Sequence, residues 1–136
     1  MTTPASVLIV EALLALPFVI LGLSHIVQRH MWVDFFNGLA AQGHAGVVWR
    51  SMALEIWPAA LIIALHQDWS WPGVVITAYG HLLMFKVGVS LLFPAIGRRS
   101  LQQAEKSGTA GFVVAGLVLI GLGFLCGYRA FVMSPP

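Results

Sequence analysis

Apolar residues run almost unbroken through four stretches of this chain, 6–27, 46–66, 73–95 and 108–130. Each supplies the roughly 20 residues a helix needs to cross the hydrocarbon core of a bilayer. The pattern predicts an all-α, polytopic membrane protein: a four-transmembrane-helix bundle forming a single membrane domain over 1–136. The second run is the least uniform, because it holds Arg50 and Glu55. Between the first two runs the period changes. Trp32, Phe35, Phe36 and Leu39 follow the i, i+3, i+4, i+7 spacing of one helical face, and Asp34, Asn37 and Gln42 fall elsewhere. An aromatic-rich amphipathic helix over 31–41, lying in the membrane interface, fits that pattern. Trp69-Ser70-Trp71-Pro72 reads as a tight turn with tryptophan at headgroup level and proline opening the next helix. Pro17 and Pro58 fall inside spans, where each removes a backbone bond and predicts a kink.

Composition agrees with the pattern. Hydrophobic residues make up 59% of the chain and charged residues 9%, far below the quarter or so typical of a water-soluble surface. Lipid is therefore the expected partner, and no basic patch of the size nucleic acid requires is present. Met1-Thr2-Thr3-Pro4 has no basic residue and Glu11 interrupts the first apolar run, so that run reads as a retained span and not a cleaved signal. Arg29, Arg50, Arg98, Arg99 and Lys106 flank the connectors after spans 1 and 3, and Arg129 alone flanks the other side. The positive-inside rule then places both termini outside, periplasmic if this is a bacterial inner membrane.

The candidate chemistry lies in ionisable residues within apolar runs, where each costs at least about 2.5–3.5 kcal/mol on insertion scales. Counting about 1.5 Å per residue from the outer side puts Glu11 roughly 8 Å deep, His81 about 12 Å, Glu55 about 16 Å and Lys86 about 20 Å. Glu55 and Lys86 lie on spans joined by a short turn and should form an ion pair. Glu11 and His81 share a depth and form a looser expected pair. His81 and Lys86 are five residues apart, about 140° around the helix, and face different neighbours. His66 and Asp68 are expected at the outer surface. These residues either satisfy one another and set the packing, or form a proton- or ligand-handling cluster. A haem held by His25 and His81 is excluded by a depth difference of about 16 Å. No other metal-ligand spacing, phosphate loop or nucleophile elbow stands out, so no cofactor or metal is expected and a non-enzymatic role is favoured.

In span 4, Gly116, Gly123 and Gly127 recur with Thr109 on one face, and Gly123 to Gly127 is a Gly-x-x-x-Gly match. Such a seam lets two helix backbones approach, either within the chain or between copies in a homo-oligomer.

Several stretches together resemble a family of small uncharacterised bacterial four-span membrane proteins. They are Gly22-Leu23-Ser24-His25, Trp32-x-x-Phe35-Phe36, the run from Leu61 through His66-Gln67-Asp68-Trp69, Gly80 with Lys86, and Leu91-Leu92-Phe93-Pro94. His81 departs from that family's pattern, which has tryptophan there. The layout is also distantly similar to the DoxX-like group, whose acidic residue in span 2 Glu55 would match. The first expectation is a transporter or ligand-binding bundle with Glu55, Lys86 and His81 lining a polar site. The DoxX-like similarity implies instead a redox or quinone-linked accessory subunit. The glycine seam and the Trp32–Leu39 face allow a third, a non-catalytic scaffold subunit of a membrane complex.

Overall fold

In a computed structural model, which describes residues 4–133, the chain is entirely helical apart from short turns. Met1-Thr2-Thr3, part of the reading of the first span as retained, lies outside the described residues. Helix α1 (Ala5–Val27) is followed by α2 (Arg29–Ala41). The second span comprises α3 (His44–Trp49), a π-helical segment (Arg50–Glu55) and α4 (Ile56–Leu65). Then come α5 (Val74–Leu92) and α6 (Pro94–Phe131). Four helical stretches, Ala5–Val27, His44–Leu65, Val74–Leu92 and Pro94–Phe131, are long and apolar enough to cross a membrane. Leu13, Leu16, Ile20, Leu82 and Phe85 are exposed on their outer faces, as lipid-facing side chains should be.

The segment before span 4 differs from the expected connector. Pro94 opens a helix at once, and α6 runs to Gly108 before the backbone breaks at φ +56 and the helix resumes. Only glycine adopts that left-handed conformation without strain, so Gly108 is the joint between the two halves. The first half is held by Leu101, buried with Leu39 and Val47 in a small core at the basic end of the bundle. Phe36 packs against that core, and α2 lies along α6, so part of the amphipathic face read from the sequence is spent on the protein itself, while Phe35 stays 45% exposed.

The main core joins α1, α4, α5 and the second half of α6 through Val10, Leu14, Phe18, Ile62, Ile76, Leu122 and Cys126. Helices α1 and α6 form the most extensive pair. A Cβ on Gly116 would lie 2.6 Å from the carbonyl oxygen of Gly22, and one on Gly22 would meet that of Gly116 at the same distance. Gly123 sits equally hard against α1, with the Ala15 carbonyl 2.8 Å from where a Cβ would stand. Gly127 meets only the Ala15 Cβ, at 3.8 Å, which is ordinary contact. The seam is therefore intrachain and rests on Gly116 and Gly123, seven apart, instead of on the Gly123–Gly127 match.

The irregularity expected from Pro58 takes the form of a π segment just ahead of it. Proline has no N–H for the Leu54 carbonyl, and its ring crowds that carbonyl, so the preceding turn is wider. Pro72 stands in the turn, two residues before α5 begins, and not in the helix's first turn.

Candidate functional site

Two clusters of ionisable side chains lie inside the bundle, and they differ in access.

The first is at the end that carries the termini. Glu11 of α1 is fully buried, and its Oε1 accepts from Arg129 Nε of α6 at 2.6 Å and from His66 Nε2 at 2.9 Å. Arg129 also donates from Nη2 to Asp68 Oδ2. His66 Nδ1 stands 3.0 Å from the Thr77 hydroxyl, which is itself 2.7 Å from the Asp68 carbonyl and 3.3 Å from that of His66. His66 thus bridges the Thr77 hydroxyl and the Glu11 carboxylate, and with Arg129 it ties α1, α5 and α6 together at this end. Glu11 Oε2 is left without a partner.

This arrangement corrects two expectations. Glu11 does not pair with His81; its partners are His66 and Arg129. His81 points away, with Nδ1 on the Thr77 carbonyl of its own helix at 2.9 Å and its ring 5.2 Å from Trp69. The buried face of α5 is Ile76, Thr77, Gly80, Val87 and Ser90, and His81 lies about 100° from Gly80, off that face. Nor is His66 at the surface. It caps α4 with φ −112 and ψ 82, which turns the chain back and buries the ring completely between α1 and α5. Asp68 is partly covered through the same turn, its side chain 14% exposed.

Burial alone would raise the Asp68 carboxyl, but the hydroxyl and amide of Ser70 and the Arg129 guanidinium outweigh it and hold it below the usual value. A folded-state value below the unfolded one stabilises the fold above pH 3.8, and that contribution is lost as pH falls through the lower folded value. Thermal unfolding of the purified protein between about pH 5 and pH 2 should therefore show an acid limb, and Asp68→Asn should flatten it.

The second cluster sits towards the basic end. Lys86 Nζ of α5 donates to Glu55 Oε1. Arg50, 1% exposed, donates from Nη1 to Ser100 and from Nη2 to Ser90, both at 3.1 Å. Its Nε lies 3.5 Å from Glu55 Oε2, too far for a hydrogen bond, and both atoms are buried without one. Residues 50 and 55 would lie about 140° apart on an α-helix. The π segment between them, whose bonds span five residues, brings the two onto one face. Thus Glu55 has the expected partner in Lys86 and a second that sequence reasoning assigned only to the membrane flank. Two cations share one carboxylate, so the cluster carries a surplus positive charge. It is also open on one side: the Lys86 side chain is 47% exposed and Glu55 11%.

Of the sequence-derived candidates, Glu55 and Lys86 come together, Glu11 joins His66 and Asp68, and His81 joins neither group. Arg129 and Thr77 were missed. Arg129 follows Gly127-Tyr128 near the end of an apolar run and has the sequence signature of a simple helix-end flank. Among the described residues, no group of three or more His, Cys, Asp or Glu could hold a metal ion. The chain matches no protein-family model, no curated protein and no solved structure.

Proposed function

We propose that this protein is a ligand-binding membrane bundle that takes an anionic amphiphile by its headgroup at Arg50, Glu55 and Lys86. The observation that carries this reading is the surplus positive charge beside an open flank. An uncompensated charge within a membrane is costly, and an anion that reaches it removes the cost. Lys86 opens beside Phe85, 73% exposed, and Leu82, 68% exposed, so the occupant's body must suit lipid. The π segment under the site supports the same reading, since such interruptions occur frequently at functional sites. The other cluster is closed, with Glu11 and His66 fully buried, as suits a structural lock. With the basic end cytoplasmic, as the positive-inside rule has it, the ligand comes from the inner leaflet. Carrying it across the membrane would make the protein a transporter. The scaffold reading loses its main support, because Gly116 and Gly123 are already occupied by α1.

Native mass spectrometry of the full chain, released from micelles holding equal phosphatidylglycerol and phosphatidylcholine, tests this. The wild type should retain phosphatidylglycerol preferentially. Lys86→Met should lower that preference roughly tenfold, the worth of a charge-assisted hydrogen bond. Glu55→Gln, which adds to the surplus charge, should raise it. Unchanged preference in both variants would sink the proposal.

A further inference from the structure

A third polar feature, separate from both clusters, lies at the basic end where α1, α2 and the two halves of α6 meet. It is a cavity of about 310 Å³ whose lining includes His25, Phe36, Gln103, Ser107, Phe112 and Ala115. It spans the Gly108 break, with Gln103 and Ser107 on one half of α6 and Phe112 and Ala115 on the other. The space exceeds the roughly 150 Å³ that accommodates benzene in an engineered cavity, and falls at the small end of natural ligand pockets.

The walls define what could enter. His25 is 8% exposed, and its ring is held on both sides. Trp32 stacks on it at 4.1 Å with planes 21° apart, and Trp32 is itself fixed by its Nε1–H donating to Ser24 at 3.0 Å. Phe112 lies 5.8 Å from the imidazole and 5.2 Å from Phe36. His25 Nδ1 is 2.8 Å from the Leu21 carbonyl, which only accepts, so Nδ1 carries a proton. In the neutral ring Nε2 is then an acceptor, and no partner is found for it among the described residues. Ser107 has spent its only proton on the Gln103 carbonyl at 2.7 Å. His25 and Ser107 therefore both present acceptors to the cavity, Phe36 and Phe112 supply ring faces, and the Gln103 carboxamide can accept or donate. A neutral donor on a flat apolar body is matched by the unpartnered histidine nitrogen and the rings.

We propose that this cavity binds a neutral single-ring amphiphile of the phenol class, its hydroxyl donating to His25 Nε2 and its ring lying against Phe36 and Phe112. The proposal is independent of the Lys86 site, which takes the opposite chemistry.

The test uses the full chain, ¹⁵N-labelled at histidine, in lipid nanodiscs. The probes are 4-propylphenol and its methyl ether 4-propylanisole, which has the same body and no donor. Of the five histidines, His25 alone should show a saturable Nε2 shift with 4-propylphenol, and the ether should bind roughly tenfold more weakly or not at all. His25→Gln identifies the resonance. Ala115→Phe keeps the imidazole but fills the cavity, so the His25 resonance should remain and its response should vanish. An equal response to the ether, or a response that survives Ala115→Phe, would show partitioning into lipid and overturn the proposal.

Discussion

Replacing Arg129 with methionine is expected to cost about 3–5 kcal/mol of unfolding free energy, the largest loss of any single substitution considered for this chain. The guanidinium, its side chain 7% exposed, is the shared partner of Glu11 and Asp68. Without it, Asp68 loses its cation, and the fully buried Glu11 loses its shortest contact and keeps only His66. Removing one partner of a buried pair leaves the other charged and unsolvated, which is much worse than removing both. The triple variant Arg129→Met, Glu11→Gln, Asp68→Asn should therefore recover a large part of the loss. Reversible unfolding in mixed micelles measures both. A triple variant no more stable than the single one would show that Arg129 acts through packing instead of charge. Arg129→Lys should rescue poorly, because one ammonium cannot offer the separate Nε and Nη2 donors that bridge the two acids.

The second large effect concerns the seam between α1 and α6. Gly116→Val should destabilise by about 1–3 kcal/mol, at the upper end because the new side chain meets backbone that cannot rotate away. Gly22→Val should do the same from the other side, and the pair should be far from additive, since one separation of the helices relieves both clashes. Gly127→Ala serves as the contrast. Its Cβ enters ordinary contact at 3.8 Å, and alanine is the better helix former, so stability should hold or rise. Equal losses at all three positions would mean that small size on this face matters generally and that the close approach at Gly116 does not.

The Glu55–Lys86 pair was legible in the sequence because two facts suffice for it: antiparallel neighbours joined by a short turn, and the helical rise that sets depth. Those are one-dimensional quantities. Glu11 and His81 met the same criterion and do not touch, because depth says nothing about rotation about the helix axis. Arg129 was hidden for a different reason. At the end of a span it is indistinguishable from a flanking cation until α6 is laid against α1, which brings positions 118 residues apart into one bond.

Hydropathy alone determined the four spans, the helical period of the segment between the first two, and the presence of ions that lipid would reject, since each follows from local composition or spacing. Only the tertiary structure decided how those ions are grouped. The chain turns at His66 to bury an imidazole, and the π segment before Pro58 swings Arg50 onto the face of Glu55. Helix rotation leaves one cluster shut and the other open on its Lys86 side. Ion pairing depends on direction as well as distance, and direction is set by the packing of the whole bundle.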